Sequence, residues 1–158
     1  MPTEAETSQI EETSRFDAYY HKIEESALKL IARAEQTNLG LTAKLERKGF
    51  EAPIIKTVVS DLLERGLLND ERYALLWLRS RIAKKSQSPK MLLASLRKKF
   101  IDQHSSISAI KKALDPDSEY ALLLRYLEIQ ENPDSITRAK LRYENFSNET
   151  LDRHFSEK

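Results

Sequence analysis

Residues 45–74 read LERKGFEAPIIKTVVSDLLERGLLNDERYA, and this stretch contains the signals that decide the fold. Gly49 and Gly66 each follow a helical pattern, and glycine accepts the left-handed conformation that ends a helix. Between them, Pro53 suits the first turn of a helix whose apolar pairs recur at four-residue spacing. Asn69 is a good N-cap for the helix that follows. Two helix ends and two helix starts within one short stretch predict an all-α protein.

The same pattern recurs along the chain, which predicts internal repetition. Each repeat opens a long helix with Asp-x-x-Tyr, at Asp17, Asp70 and Asp117. Each repeat also ends a later helix after an inward-facing leucine, at Leu45, Leu96 and Leu141. Asn145 then falls at the position of Gly49, and asparagine is the next-best left-handed residue after glycine. The sequence therefore predicts three tandem three-helix modules in an elongated, curved, all-α array, with little core shared between modules.

We expect residues 1–15 to form a disordered acidic tail. The three modules are expected to span residues 16–68, 69–115 and 116–158. The first long helix is predicted over residues 16–36. In the second module, Ser105 or Ser106 is the expected cap of the third helix. Asp115 and Pro116 are expected to start the long helix of the third module. Trp77 and the tyrosines fall in apolar stripes, which favours core packing over base stacking for them.

The composition argues against an enzyme and against a bound cofactor or metal. The chain has no cysteine and only three glycines, so neither thiolate chemistry nor a glycine-rich phosphate loop can be built. No His/Cys/carboxylate cluster has metal-ligand spacing. No apolar run approaches the ~20 residues of a membrane span, and residues 1–14 do not resemble a targeting peptide. We therefore expect a soluble, cytoplasmic protein.

Charge is segregated along the chain. Residues 79–112 contain ten basic side chains against Asp102 alone, a net charge of +9, and because the whole chain carries +1 the remainder carries −8. A charge run is commonly a solvated helix face, and that interpretation stays open beside a binding surface. The candidate partner-binding residues in this basic segment are Arg79, Arg81, Lys84, Lys85, Lys90, Arg97, Lys98 and Lys99.

Two runs of sequence carry a resemblance to a known family. Residues 45–50, with Leu-x-Arg-Lys-Gly-Phe, and residues 66–74, with Gly-Leu-Leu-Asn-Asp-Glu-Arg-Tyr-Ala, are similar to the signature of the RecX family of recombinase regulators. The resemblance covers about residues 20–155. It implies a small, cytoplasmic, all-helical, non-enzymatic protein that binds the RecA recombinase along the groove of its nucleoprotein filament. It also implies inhibition of ATP hydrolysis, filament growth and strand exchange.

Three functions follow from these observations as hypotheses. The first is a regulator that acts as a monomer on the RecA filament, with the basic second module facing acidic protein surface or DNA phosphates. The second is a direct DNA-binding protein, since the helix pairs have helix-turn-helix-like spacing and the basic patch suits phosphates, with possible weak binding to free DNA. The third is a helical scaffold for another protein. Salt dependence of binding to bare DNA separates the first two.

Overall fold

The computed structural model describes residues 1–156, and over these residues the chain is all-α with no strand. The helices are α1 (Glu4–Arg33), α2 (Asn38–Arg47), α3 (Ala52–Glu64), α4 (Asp70–Lys84), α5 (Pro89–Lys98), α6 (Gln103–Ala113), α7 (Pro116–Glu128), α8 (Arg138–Tyr143) and α9 (Asn148–Ser156). A short 3-10 turn, Pro133–Ser135, precedes α8. The predicted fold class, all-α with tandem three-helix modules, is confirmed.

Helix α1 starts earlier than the sequence analysis expected. The hydroxyl of Thr3 accepts a hydrogen bond from the amide of Glu6 at 3.3 Å, and the Glu6 carboxylate accepts one from the amide of Thr3 at 2.7 Å. This reciprocal capping box satisfies two free amides and begins the helix at Glu4. In the structure the expected disordered tail is therefore helical from Glu4 onward. Asp17 lies inside α1 and does not begin a helix.

The chain divides into two compact units, and the first contains residues 1–69. Its three helices pack on one another around a core that includes Ile23, Leu45 and Leu62. At the edge of this core the Tyr20 phenol donates a hydrogen bond to the Asp61 carboxylate. Burial, together with this bond to a carboxylate, raises the pKa of Tyr20 to about 12. The contact fixes α1 against α3.

The second unit begins at Asp70 and contains α4 to α9. The second and third predicted modules share one hydrophobic core here, because buried residues of both belong to the same cluster. Its fully buried leucines are Leu78, Leu92, Leu96, Leu122, Leu123, Leu141 and Leu151. The expectation of little shared core between modules therefore does not hold for this pair.

A polar contact joins the two modules within this second unit. The carboxylate of Glu144, which follows α8, accepts a hydrogen bond from the Ser88 hydroxyl at 2.7 Å. The same hydroxyl caps α5 by accepting from the Met91 amide at 3.3 Å, and the Lys90 amide donates to the Glu144 carbonyl at 3.1 Å. Burial alone would raise the pKa of Glu144, but hydrogen bonds from Ser88 and Lys140 and the nearby lysine charges hold that pKa below its ordinary value. We call this group of contacts the Glu144 seam.

The second helix of each module ends in the same backbone motif. The residue after the cap has positive φ in all three cases: 87° at Gly49, 58° at Phe100 and 67° at Asn145. The next amide donates back to the carbonyl of the buried leucine, at 3.4 Å, 3.3 Å and 3.3 Å for Leu45, Leu96 and Leu141. All three leucines have zero exposed area, as the repeat alignment predicted. This is the Schellman ending, which satisfies free carbonyls at a helix C-terminus.

Two caps in the second unit test the sequence analysis directly. Helix α6 is capped by Asp102, whose carboxylate accepts from the Ser105 amide at 2.8 Å, so neither expected serine is the cap. The correction has a simple cause, since an aspartate three residues before a free amide caps as well as a serine does. Helix α7 is capped by Asp115 and opens at Pro116, as predicted.

Candidate partner-binding surface

The eight candidate binding residues lie on or directly after α4 and α5, the first two helices of the second unit. Basic side chains in the last turn of both helices complement the negative end of the helix dipole. Five of the eight are exposed: Arg79, Lys84, Lys85, Arg97 and Lys98. The other three are half-buried: Arg81, Lys90 and Lys99. We call the eight together the basic face.

The five exposed cations of the basic face have no hydrogen bond or ion pair from their side chains to any other part of residues 1–156. The nearby Lys112 contrasts with them, because its ammonium is paired with the Glu71 carboxylate and lowers the pKa of that carboxylate. Uncompensated charges of one sign attract an oppositely charged partner and raise its association rate. The basic face therefore suits an anionic partner.

Two of the half-buried cations contact an aromatic cluster on α4. The Arg81 guanidinium carbon lies 5.7 Å from the centroid of the Trp77 ring, and the Lys99 ammonium lies 5.4 Å from the same centroid. Lys99 also lies 5.9 Å from the centroid of Tyr73. Trp77 and Tyr73 pack against the core, which confirms core packing for both. Cation–π contacts of this kind fix long basic side chains at the surface.

Lys90 points in a different direction from the rest of α5. Its ammonium lies 3.1 Å from the ring centroid of Tyr143 in the third module, and that of Lys140 lies 5.3 Å away. The interaction with Lys90 lowers the pKa of the Tyr143 phenol. Lys90 therefore contacts the third module, whereas the side chain of Arg97 on the same helix is exposed. Tyr143 is 64% exposed, so the expectation of an apolar stripe fails for this tyrosine.

Phe100, which takes the place of Gly49 in the repeat alignment, stands beside the basic face. It directly follows Lys99, is 72% exposed and has positive φ. The repeat alignment contained a usable signal, since it matched this bulky residue with Gly49 and Asn145, two residue types that tolerate the left-handed conformation. An exposed aromatic ring at a strained position is a feature that packing does not explain.

The described part of the chain offers little for catalysis or cofactor binding. Residues 1–156 contain no group of three or more His, Cys, Asp or Glu side chains able to hold a metal. A cavity of about 390 Å³ between α5, α6 and the start of α7 is lined mainly by apolar residues. Its buried carboxylate, Glu119, already accepts hydrogen bonds from Ser147 and Thr150. None of the described helices has the length and hydropathy needed to cross a membrane.

Comparison with known proteins gives consistent results. The sequence family described as "RecX, second three-helix domain" matches residues 69–105, which contain the whole basic face. The Regulatory protein RecX of Mycobacterium sp. (strain JLS) is 31% identical over 121 residues, covering 73% of this chain and 66% of that protein. The Regulatory protein RecX of Treponema pallidum (strain Nichols) is 31% identical over 102 residues, covering 65% and 62%. The alignments thus span slightly less than two thirds of these relatives.

Solved structures show the same fold. The crystal structure of RecX from Lactobacillus salivarius superposes with a TM-score of 0.64 at 21% identity, over 89% of this chain and 97% of that one. A crystal structure of a regulatory protein RecX gives a TM-score of 0.67 at 17% identity, over 100% and 79%. The fold therefore places this chain among the helical proteins built from tandem three-helix modules. Together with the sequence matches, these comparisons show that the chain belongs to the RecX family.

Proposed function

We propose that this chain regulates the RecA recombinase. It binds the recombinase or its nucleoprotein filament in the cytoplasm and inhibits ATP hydrolysis, filament growth and strand exchange, without catalysing a reaction itself. Membership of a family whose relatives are named as regulatory proteins supports a regulatory role. The filament offers both acidic protein surface and DNA phosphates, so it is an anionic partner of the kind that the basic face suits.

The observation that carries this proposal is the set of exposed cations without partners on α4 and α5. Maintaining several like charges side by side is unfavourable unless something negative faces them. Tandem modules add a second reason, because several weak contacts on one chain reinforce one another through effective concentration. A filament repeats its binding surface along its length and can use such contacts.

The test compares two double variants that remove the same charge. Arg97→Ala with Lys98→Ala removes two exposed cations of the basic face. Lys22→Ala with Lys56→Ala removes two exposed lysines of the first unit and serves as the matched control. ATP hydrolysis by RecA on single-stranded DNA is titrated with each protein. The basic-face variant should need roughly tenfold more protein for half-inhibition, most clearly at low salt, and the control should match wild type.

Circular dichroism serves as the folding control, since exposed substitutions of this kind change stability little. If both folded double variants inhibit as well as wild type, the fourfold variant that also replaces Lys90 and Lys99 by alanine is the stricter test. Full inhibition by that folded fourfold variant would remove the basic face from the mechanism. Failure of the wild-type protein to inhibit RecA at any concentration would overturn the proposed function itself.

A second function, direct binding to DNA, is favoured by the same exposed cations, which suit the phosphates of the DNA backbone. Binding to phosphates releases counterions, so its affinity falls steeply as salt rises. A protein that binds bare DNA with this salt dependence, and inhibits RecA only by occupying the DNA, fits this alternative. A protein that binds RecA on DNA far more tightly than DNA alone fits the first proposal.

A further inference from the structure

We infer that Phe100 is a stacking contact for a base of single-stranded DNA, held beside the phosphates that the basic face attracts. The inference rests on the proposed function, in which the chain acts on a filament formed on single-stranded DNA, and it names the component of the filament that this surface touches. Three features of Phe100 carry it: the backbone conformation, the exposure of the ring and the charge of the preceding residues.

The backbone at Phe100 is unfavourable for a phenylalanine. Its φ of 58° lies in the left-handed region, where a side chain with a Cβ crowds the following carbonyl. The equivalent helix ends use Gly49 and Asn145, which adopt this conformation more readily. A residue held in a sparsely populated conformation at one of three equivalent positions indicates a role outside the fold.

The side chain of Phe100 is packed only slightly against the rest of the protein, so packing does not compensate for the unfavourable backbone conformation. It is 72% exposed, the highest value among the large hydrophobic side chains after Met1, whereas the next residue, Ile101, is buried and supplies the apolar contact of this helix end. The Schellman hydrogen bonds here run through backbone atoms alone, so any residue able to adopt positive φ can form them. Folding therefore requires the conformation at residue 100 but not the aromatic ring.

The neighbours of the ring favour a nucleic acid over an apolar protein pocket. The three preceding residues, 97–99, are all cations, and the residue that follows is buried, so an exposed aromatic residue directly follows a run of positive charge. Single-stranded nucleic acid is bound by this combination, in which cations hold the phosphates and an exposed aromatic ring stacks on a base. Stacking tolerates any base, so we expect little sequence preference.

The experiment measures binding of the full chain to a fluorescent oligothymidylate, without RecA, by fluorescence anisotropy at low salt. Phe100→Gly should bind about five- to a hundredfold more weakly, the range expected for loss of one stacked base. The same substitution should leave the melting temperature unchanged or raise it, because glycine relieves the backbone strain. Weaker binding by a protein at least as stable is a combination that a purely structural role for Phe100 does not produce.

Two further variants sharpen the test. Asn145→Gly makes the same backbone change at the equivalent exposed position of the third module, and it should leave DNA binding unchanged. Phe100→Trp should retain affinity, and its fluorescence should be quenched by the oligonucleotide beyond the change seen in the wild type, whose single tryptophan is Trp77. Quenching on binding reports direct stacking on the new ring.

The outcomes separate this inference from the proposed function. If Phe100→Gly binds the oligonucleotide as tightly as wild type but no longer inhibits RecA, the ring contacts protein and the stacking contact is refuted. The same conclusion follows if wild type inhibits RecA yet binds no bare oligonucleotide. If binding depends on Phe100 but wild type does not inhibit RecA, the stacking contact stands and the proposed function fails.

Discussion

At the scale of single residues, three residues with positive φ end a helix in the same way but at different energetic cost. Gly49 has no Cβ, Asn145 tolerates the left-handed region, and Phe100 is strained there. The backbone hydrogen bonds that end the helix are the same in all three modules. The stability of each helix end therefore depends on the residue type at this one position.

Replacing Gly49 by alanine should destabilise the first unit by about 1–2 kcal/mol, the cost of the left-handed conformation for a residue with a Cβ. A Cβ added there would meet no atom within 4 Å, so crowding adds nothing to this cost. Urea denaturation of the variant measures the change in the free energy of unfolding. An unchanged midpoint would show that the helix end rearranges without penalty.

Each of the three buried leucines that precede these helix ends should be costly to truncate. Leu45→Ala, Leu96→Ala and Leu141→Ala each remove a side chain with zero exposed area and should cost about 2–5 kcal/mol. Arg97→Ala, next to Leu96 in sequence, truncates an exposed side chain and should change stability by less than about 0.5 kcal/mol. Thermal unfolding of the four variants makes the comparison, and equal losses at leucine and arginine would contradict it.

At the scale of secondary-structure elements, the Glu144 seam is where a charged group holds two modules together. Glu144 accepts from the Ser88 hydroxyl that caps α5, and the Lys140 ammonium lies 3.3 Å from the same carboxylate. Because the charged form has these donors, the folded protein holds the pKa of Glu144 below its ordinary value of 4.5. The contact therefore depends on pH.

The sign of this dependence follows from linkage between protonation and folding. A carboxyl whose pKa is lowered by folding stabilises the folded state above its unfolded pKa and loses that contribution as pH falls through the folded pKa. We predict that the difference in unfolding free energy between wild type and Glu144→Gln is constant near neutral pH and shrinks below about pH 4.5. Chemical denaturation of both proteins across this range tests it, and a difference independent of pH would exclude ionisation of Glu144 as the cause.

The first half of helix α1 is exposed to solvent, which should lower its local stability. All residues from 1 to 18 are exposed, so the first half of this helix is supported by its cap and its own hydrogen bonds rather than by packing. Helical segments without packed faces are marginally stable in water. We predict that amides 5–15 exchange with deuterium much faster than amides 23–33, which lie where the buried Ile23 and Ala27 pack. Similar protection in both halves, measured by exchange mass spectrometry, would contradict this.

The elements also show how far sequence reasoning reaches. Local signals such as Gly49, Pro53 and Asp115 predicted helix boundaries, because caps and stops act within a few residues. The direction of Lys90 was not predictable, since it depends on Tyr143, which is distant in sequence and belongs to another module. The shared core of the second unit was missed for the same reason. The basic face was predicted as a charge pattern, and the repeat alignment placed Phe100 at a helix end, whereas the exposure and the positive φ of Phe100 needed the structure.

At the scale of the whole molecule, the two units have separate hydrophobic cores. The buried residues of the first cluster all lie between Ile23 and Leu68, and those of the second all lie between Ala74 and Leu151. A domain with its own core can unfold by itself, and two such units can violate two-state behaviour. The second and third modules, in contrast, share one core and should unfold together.

The last prediction follows from this division. Leu45→Ala removes core packing from the first unit alone, and Leu141→Ala removes it from the second. We expect each substitution to lower the melting temperature of its own unit and to leave the transition of the other unit unchanged. The double variant should show both shifts.

Scanning calorimetry resolves the two transitions, and the fluorescence of Trp77 assigns them. Trp77 is the single tryptophan and lies in the second unit, so its fluorescence reports that unit only. Leu45→Ala should therefore leave the fluorescence transition unchanged while Leu141→Ala lowers it. A fluorescence midpoint that falls equally in both variants would show one cooperative unit, because the loss of packing in either core would then unfold the whole chain.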